Sequence, residues 1–214
     1  MPVSPARGTG LLGGTFNPPH LGHLAAARHA RAELGLERVL LMPAHASPHK
    51  LDDEHDPGVE ARLQMCRLAV GAEPGLGVCA AEVGREGPSY TAETLALLRE
   101  RNPSGELTFI VGADTASTLP TWREPRAVLE LARLAVVARD GTHIEQVRRR
   151  LAPLLEQAGD AADVRYLEMR PVAVSSSAAR AAAARGEQLA ALVGEPVAAY
   201  IAEHRLYRDG GRPA

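Results

Sequence analysis

Short apolar runs rich in β-branched residues alternate along the chain with stretches in which apolar positions recur every three or four residues. The short runs predict strands near Gly8–Gly13, Val39–Met42, Leu76–Cys79, Thr108–Val111, Leu134–Ala138 and Val164–Leu167. The periodic stretches predict helices near Leu21–Leu34, Glu60–Gly71, Thr91–Arg101, Pro125–Ala132, Ile144–Gln157, Ala178–Arg185 and Pro196–His204. Strand followed by helix, repeated along the chain, is typical of a parallel sheet with helices on both faces. We therefore expect an α/β fold.

No long linker, internal repeat or low-complexity block interrupts this pattern. We therefore expect one domain over residues 1–214, in which residues 208–214 form a mobile tail. Ligands of such sheets bind beyond the carboxyl ends of the strands, where the strand order reverses. The loops that follow the predicted strands, or lead from them to the next helix, are Gly14–His20, Pro43–Pro57, Gly84–Tyr90, Gly112–Glu124 and Arg170–Ser177.

The charge and composition of the chain argue against some classes of binding partner. The 214 residues carry a net charge of −2, so no sequence-wide field favours nucleic acid or an anionic membrane, and anion binding must come from a local site. No run approaches the ~18 consecutive apolar residues of a membrane span, and the first residues lack the apolar core of a signal peptide. We expect a soluble, cytoplasmic protein without nucleic-acid or membrane partners, and whether it forms a homo-oligomer stays open.

Lys50 is the one lysine among 24 basic side chains, the others being arginine. Such a Lys marks either a place that requires a compact ammonium or a chance survival on the surface. It lies in a loop that also contains His45, His49 and His55, but the spacing of these histidines matches no structural zinc site, and no metal site is expected there. The better candidate is Lys50 itself, as a mobile cation that closes over a substrate phosphate.

The first predicted strand runs into Gly-Gly-Thr-Phe-Asn-Pro-Pro-His-Leu-Gly-His-Leu over residues 13–24. Glycines at a strand end let the backbone approach a ligand, and a helix N-terminus with free N–H groups binds anions. His20 and His23 are three residues apart at the predicted helix start, so they share a face and can direct N–H donors at one phosphate chain. Gly22 is expected to leave that face uncovered. The alternative is a glycine turn with two half-buried histidines.

Two more loops offer groups that suit a nucleotide. Ser175–Ser177 precedes an Ala-rich helix, so its hydroxyls and free N–H groups can cap the helix or bind phosphate, and Arg180 faces the same way one turn later. Gly112 and Asp114 follow the fourth strand, where glycine lets a nucleotide lie against the backbone and a carboxylate accepts hydrogen bonds from ribose hydroxyls. The alternatives are an ordinary cap at the serines and an N-cap role for Asp114.

Taken together, these segments resemble the nucleotidylyltransferases, and in particular the bacterial nicotinate-nucleotide adenylyltransferases. Beyond residues 13–24 the resemblance extends, in the family's order, over Pro43–Lys50, Ser89–Leu95, Phe109–Trp122 and Val174–Arg180. The chain departs from the family's usual pattern at Asn17 and Glu93, where Asp is usual, and at Ser177-Ala178-Ala179-Arg180, where Thr-x-Ile-Arg is commoner. The resemblance implies a Rossmann-like parallel sheet of the nucleotidylyltransferase type.

Adenylyl transfer is the activity that the resemblance implies. The phosphate of nicotinate mononucleotide attacks the α-phosphate of ATP, pyrophosphate leaves, and nicotinate adenine dinucleotide forms on the route to NAD. Because the attacker is already an anion, such an enzyme must hold two anions in line and stabilise charge, and it needs no protein nucleophile. Mg²⁺ is expected to arrive with ATP, because phosphates supply its oxygen ligands.

The resemblance also implies roles for individual residues. It assigns catalysis to His20, His23 and Arg180. It implies ATP contacts from these three residues and from Gly13, Gly14, Thr15, Phe16, Gly112, Asp114, Ser176 and Ser177. It implies contacts with nicotinate mononucleotide from Thr15, Lys50, Tyr90, Thr91, Trp122 and Arg139, with Trp122 stacked on the pyridine ring. The alternatives are packing of Trp122 under the next helix and a solvated Arg139.

Other functions remain open at this level. The acceptor of the adenylyl group can be nicotinamide mononucleotide or phosphopantetheine, although the pantetheine-phosphate enzymes lack the Ser-Tyr-Thr and Leu-Pro-Thr-Trp segments present here. A nucleotide-binding regulatory domain without catalysis is a second alternative, against which the retained His20, His23, Ser177 and Arg180 argue. A metal-dependent hydrolase built on the histidine-rich loop is a third.

Overall fold

The computed structural model describes residues 8–45, 55–84, 89–138 and 141–208. Its strands are β1 (Thr9–Gly14), β2 (Arg38–Pro43), β3 (Leu76–Val78), β4 (Leu107–Gly112), β5 (Arg133–Ala138) and β6 (Val164–Glu168). They form one six-stranded sheet in the order β3-β2-β1-β4-β5-β6. The predicted α/β fold with a Rossmann-like parallel sheet is confirmed, and each predicted strand ends within about one residue of its position in the structure, inside the usual spread of boundary assignment.

The helices predicted from periodicity are also present, as α1 (Leu21–Glu33), α2 (Val59–Val70), α3 (Thr91–Arg101), α5 (Pro125–Leu131), α6 (Gly141–Ala158), α7 (Ser176–Ala184) and α9 (Glu195–Glu203). Two one-turn helices, α4 (Ala113–Ala116) and α8 (Ala190–Val193), were not predicted, nor were the 3₁₀ turns Leu119–Thr121 and Gly159–Ala161. Elements of three or four residues are too short to show a helical period, which explains why the pattern did not reveal them.

Parallel pairing joins β1 to β4, β4 to β5 and β5 to β6. Leu11 lies opposite Phe109, and Ile110 lies opposite Ala135. The strands β4 and β5 read as nearly continuous apolar runs because most of their residues are buried. The strand order reverses between β1 and β4, and a reversal of this kind is where ligands of such sheets bind.

Contacts between Cα atoms divide the chain into two compact units. The first unit is Met1–Gly13, Ala26–Leu40 and Tyr90–Pro171, and the second is Gly14–Ala25, Leu41–Ser89 and Val172–Ala214. The single domain that we expect over the whole chain therefore stays a prediction.

Within the first unit, β1 packs tightly against its neighbours. A Cβ at Gly10 would lie within 2.9 Å of the side chains of Ile110, Leu36 and Val39.

The second unit has its own apolar cluster, built from α2, α7, α8, α9 and the segment after α9. Its buried members are Met65, Ala179, Ala182, Ala183, Leu189, Val193, Val197, Ile201, Leu206 and Tyr207.

The structure describes the C-terminal end of the chain as far as Arg208, so residues 209–214 of the predicted tail lie outside the described residues. Within the described part of the chain, no helix combines the length and the apolar character that crossing a membrane requires.

Candidate functional site

The loop after β1 contains a residue in an unfavourable backbone conformation, which contacts with its surroundings must stabilise. Phe16 has a φ of 53°, in the left-handed region that bulky side chains avoid, and its side chain is only 2% exposed. The ring of Phe16 packs edge-on against the ring of His23, with centroids 4.8 Å apart. A Cβ at Gly14 would lie 3.1 Å from the Phe16 ring, so this glycine makes room for an aromatic side chain of the protein itself.

His20 and His23 lie together at the start of α1, which begins at Leu21. Their imidazole rings are stacked, with centroids 3.6 Å apart and an interplanar angle of 23°. The backbone N–H of His20 donates a hydrogen bond to Nδ1 of His23 at 3.1 Å. The predicted placement of the two histidines on one face is therefore present in the structure, and both residues are half-buried.

The hydrogen bond to Nδ1 determines how His23 carries its proton. Since Nδ1 accepts, the neutral ring holds its proton on Nε2, which becomes a donor. Burial, and secondarily the neighbouring His20, lowers the pKa of His23 well below the usual 6.5. His23 is therefore a neutral hydrogen-bond donor at pH 7 in the free protein.

Gly22 has a different role from the one expected. A Cβ at this position would lie 3.0 Å from Nδ1 of His20 and 3.2 Å from a methyl group of Val174. The expected uncovered face is thus filled by the His20 ring, and that part of the prediction is wrong. The glycine matters because the imidazole of His20 occupies the space that a side chain would take.

The serine-rich start of α7 is tied to the loop after β1. Ser175 caps the helix, its Oγ accepting from the backbone N–H of Ala178 at 3.1 Å. Ser176 Oγ donates to the carbonyl oxygen of Pro18 at 2.9 Å, and Arg180 Nη1 donates to the carbonyl oxygen of Asn17 at 2.7 Å. Ser177 is exposed. The segment thus brings Ser176 and Arg180 into contact with the loop that precedes His20.

Asn17 is 3% exposed, and both ends of its amide bind to protein groups. Its Oδ1 accepts from the hydroxyl of Tyr207 at 2.7 Å, and its Nδ2 donates to the carbonyl oxygen of His55 at 3.4 Å. Where the family usually has Asp, this chain therefore uses an amide that accepts from one side and donates to the other. Sequence reasoning missed Tyr207, which stands 190 residues away from Asn17.

Sequence reasoning also missed Arg62, which is buried at 1% exposure in α2. Its guanidinium reaches the loops after β1 and β2 and pairs with Asp56. One signal was available: Arg62 stands three and four residues before the buried Met65 and Cys66, on the apolar face of an amphipathic helix. An arginine at such a position means either that the predicted apolar face is wrong or that the arginine is buried with hydrogen-bonding partners.

In the first unit, the predicted nucleotide contacts lie at the ends of β1 and β4. A Cβ at Gly13 would lie 2.8 Å from the Phe109 ring, so packing inside the unit already requires this glycine. A Cβ at Gly112 would meet no described atom within 4 Å, which leaves the backbone of Gly112 open for a ligand. Gly112 is the N-cap of α4, and Asp114 is exposed within the helix, so the alternative N-cap role for Asp114 is wrong.

Trp122 follows a 3₁₀ turn and is half-buried. Its Nε1–H donates to Oγ1 of Thr118 at 2.9 Å, and its ring lies edge-on to Phe109 with centroids 6.1 Å apart. The hydrogen bond and the T-shaped ring contact together restrain the plane of the indole.

Tyr90 and Thr91 lie at the start of α3, as predicted, with Tyr90 as the N-cap residue. The guanidinium of Arg123 lies 4.6 Å above the Tyr90 ring, and its Nη1 is 3.4 Å from Oε1 of Glu93. The arginine beside Trp122 therefore already faces a carboxylate and an aromatic ring at this helix start.

Several of the predicted residues and sites are not part of the arrangement described above. Lys50 and Arg139 lie outside the described residues, as does most of the histidine-rich loop. Among the residues that the structure describes, no group of three or more His, Cys, Asp and Glu side chains is placed to hold a metal ion. Cys66 and Cys79 are buried, and burial raises the pKa of the Cys66 thiol to about 12, so both behave as small core residues.

Fold and loops together define a nucleotide-binding α/β protein, and a family model described as cytidylyltransferase-like matches residues 11–182. The chain is 43% identical over 200 residues to a protein of Symbiobacterium thermophilum named probable nicotinate-nucleotide adenylyltransferase. The alignment covers 94% of this chain and 95% of that protein. A Roseiflexus protein of the same name is 40% identical over 93% of this chain and 97% of its own length. The chain belongs to the cytidylyltransferase-like family and, within it, to the nicotinate-nucleotide adenylyltransferases.

Solved structures support the fold assignment. The nicotinic acid mononucleotide adenylyltransferase of Plasmodium falciparum, solved in complex with NaAD, superposes with a TM-score of 0.71 at 13% identity, covering 94% of this chain and 97% of that one. At this level of identity the likeness concerns the fold alone.

Proposed function

We propose that this protein transfers the adenylyl group of ATP to the phosphate of nicotinate mononucleotide. A phosphate oxygen of the mononucleotide attacks the α-phosphorus of ATP, the bond from that phosphorus to the β-phosphate bridging oxygen breaks, and pyrophosphate leaves. The product is nicotinate adenine dinucleotide. ATP enters as its Mg²⁺ complex, in which phosphate oxygens provide metal ligands.

The stacked pair of His20 and His23 at the start of α1 is the observation that carries this proposal. The Nε2–H of His23 and the N-terminal N–H groups of α1 are donors suited to phosphate oxygens. They are held before substrate arrives, so little reorganisation is needed when negative charge moves onto the leaving pyrophosphate. Protonating both stacked imidazoles would place two positive charges close together. The negative charge of bound phosphates offsets the repulsion between them.

The other roles are assigned unit by unit. In the second unit, we assign phosphate contacts to the main chain of Gly14, Thr15 and Phe16 and to Ser176, Ser177 and Arg180. In the first unit, Gly13, Gly112 and Asp114 bind the ATP nucleoside, and Trp122 stacks on the pyridine ring. The N–H groups of Tyr90 and Thr91 donate hydrogen bonds to the carboxylate of that ring. Thr15, Lys50 and Arg139 complete the proposed contacts with the mononucleotide.

The N–H donors at the start of α3 favour an acid over an amide. A carboxylate offers two acceptor oxygens, whereas an amide turns an NH₂ group toward one of the donors. In a desolvated pocket such a mismatch costs roughly 3–4 kcal/mol, which corresponds to a discrimination of about 10²- to 10³-fold. Nicotinate mononucleotide is therefore the preferred acceptor.

A pyrophosphate-release assay with MgATP and each candidate acceptor tests the proposal. We expect turnover with nicotinate mononucleotide and kcat/KM about 10²-fold or more lower with nicotinamide mononucleotide. Equal use of the two would contradict the acid preference, and turnover with phosphopantetheine alone would identify a different adenylyltransferase. Nucleotide binding without release of pyrophosphate from ATP, whichever acceptor is supplied, would favour a regulatory domain. A cytoplasmic location remains part of the proposal, and cell fractionation tests it.

A further inference from the structure

Arg62 makes four hydrogen bonds from a position with 1% exposure. Its Nε donates to Oδ1 of Asp56 at 2.9 Å, and its Nη2 donates to the carbonyl oxygen of His45 at 2.8 Å. Its Nη1 donates to the carbonyl oxygens of Thr15 at 2.8 Å and Ala44 at 2.7 Å. Three of the four acceptors are therefore main-chain carbonyls, and they belong to the loops that follow β1 and β2.

We propose that Arg62 is a positioning residue for adenylyl transfer, which fixes these two loops so that the main-chain donors of the first loop face the substrate phosphates. The inference rests on the proposed function. Arg62 itself is buried beneath the loops and acts through the backbone atoms that it holds.

The geometry of the peptide bond links Arg62 to the candidate phosphate contacts. In a trans peptide the C=O and N–H groups point in opposite directions. The carbonyl of Thr15 points at Arg62, so the N–H of Phe16 in the same peptide unit points away from the guanidinium. The Phe16 ring is buried against His23, so the group that Phe16 can offer a ligand is this N–H. Arg62 thereby sets the direction of a predicted ATP contact.

Phe16 itself shows that the loop needs such a restraint. A φ of 53° is unfavourable for an aromatic residue, and such a conformation persists only where the surroundings impose it. The hydrogen bond to the preceding carbonyl is one of the contacts that impose it. Without that bond, the peptide between Thr15 and Phe16 is free to rotate toward a relaxed conformation, and its N–H leaves the direction set by Arg62.

The same guanidinium orders the second loop. With the carbonyls of Ala44 and His45 held by Arg62, the backbone N–H of Ala44 donates to the carbonyl oxygen of Gly14 at 3.0 Å. The N–H of His45 donates to Oγ of Ser89 at 3.0 Å. Arg62 thus joins the end of β1, the end of β2 and Ser89, which opens the Ser-Tyr-Thr segment, into one hydrogen-bonded set within the second unit.

Only the forked, planar group of arginine fits this arrangement. Nε, Nη1 and Nη2 reach acceptors in different directions in one plane, whereas the three donors of lysine come from a single nitrogen. Burying this charge carries a desolvation penalty that an apolar residue would avoid, so its hydrogen bonds, more than stability alone, account for its presence.

Arg62→Met tests the proposal, because it keeps an unbranched side chain and removes all the donors. We expect kcat for pyrophosphate release to fall by about 10²-fold under conditions in which the variant is folded, since small misplacements of reacting groups have effects of that size. Two controls lie on the same helix. Arg67→Met makes the same change at an exposed position, and Leu63→Ala removes buried volume while leaving the guanidinium in place. Both should retain kcat within about threefold.

Arg62→Lys separates charge from geometry. We expect its kcat to stay closer to that of Arg62→Met than to that of the wild type, and recovery of wild-type kcat by lysine would overturn the role of the fork. A folded Arg62→Met protein with kcat within threefold of the wild type would also overturn the proposal. So would a loss of kcat in Leu63→Ala as large as that in Arg62→Met, because the effect would then follow from stability.

A measurement without substrate distinguishes failure of this inference from failure of the proposed function. The amide resonances of Phe16 and Asn17 should shift in both Arg62 variants and stay unchanged in Arg67→Met. If the wild type releases no pyrophosphate, the proposed function is wrong and these resonances still decide the positioning role. If Arg62→Met does not fold, Arg62→Lys provides the same comparison, and unchanged resonances in it would refute the role of Arg62.

Discussion

Replacing Tyr207 with Phe removes one hydroxyl group from the contact between the C-terminal segment and the loop after β1. The hydroxyl donates to Oδ1 of Asn17 at 2.7 Å, and the two side chains are buried, at 9% and 3% exposure. The ring of Tyr207 belongs to the apolar cluster of the second unit, and phenylalanine keeps that packing. The substitution therefore isolates the hydrogen bond from the burial of the aromatic ring.

The magnitude follows from the burial of the acceptor. A neutral hydrogen bond contributes a net ~1 kcal/mol, and a buried acceptor that loses its donor raises the cost toward about 3 kcal/mol. We expect the Tyr207→Phe protein to lose about 1–2 kcal/mol of unfolding free energy. For a chain of this length each kcal/mol lowers Tm by roughly 2–4 °C.

Urea unfolding of the two proteins, followed by circular dichroism, measures this difference. Tyr200→Phe is the matched control, because Tyr200 lies in α9 against the same cluster and its ring stacks on His204 without a hydroxyl contact of this kind. We expect the control to change stability by less than about 0.5 kcal/mol. A Tyr207→Phe protein as stable as the wild type, or a control that loses as much, would refute the reasoning.

Further outcomes are expected at the candidate site. His23→Ala should lower kcat by about 10²-fold or more while the chain stays folded by circular dichroism, and full activity would remove His23 from catalysis. Because the pKa of His23 is lowered in the folded protein, the unfolded chain binds the proton first as pH falls. The stability that this difference contributes is complete above about pH 6.5 and declines as pH falls from there toward the folded-state pKa. Between pH 7.5 and pH 5.5 the wild type should therefore lose more unfolding free energy in urea than His23→Gln, and equal losses would contradict the assignment. Trp122→Ala should raise KM for both nicotinate and nicotinamide mononucleotides by about tenfold through lost stacking and leave their ratio of kcat/KM unchanged, whereas Trp122→Phe, which keeps a stacking face, should stay near the wild type. A ratio that collapses toward one in Trp122→Ala would show that the indole sets specificity.

The elements of the fold could be read from local pattern because their causes are local. A buried parallel strand such as β5 is a continuous apolar run, and a surface helix such as α3 shows its apolar positions every three or four residues. The placement of His20 and His23 on one face followed from their spacing at a helix start, whereas the stacking of their rings is a finding of the structure. Short elements such as α4 escaped prediction because four residues give no period.

The reason for each glycine was harder to read from the sequence. Gly13, Gly14 and Gly22 were predicted to leave room for a ligand, and in the structure a Cβ at these positions would press against the rings of Phe109, Phe16 and His20. A glycine in a sequence shows that something must come close to the backbone. Which group comes close depends on residues that are distant along the chain, as with Gly13 and Phe109.

The sequence by itself determined the α/β fold, the positions of the strands and of the longer helices, and the loops that carry the candidate chemistry, because these depend on residues within a few positions of one another. The contacts that hold the loop after β1 were decided only by the tertiary structure. Arg62 binds the carbonyl of Thr15, 47 residues away, Arg180 binds that of Asn17, 163 residues away, and Tyr207 reaches the Asn17 side chain across 190 residues. Each donor meets its acceptor because the packing of helices brings them within 3 Å, and no local pattern records that distance.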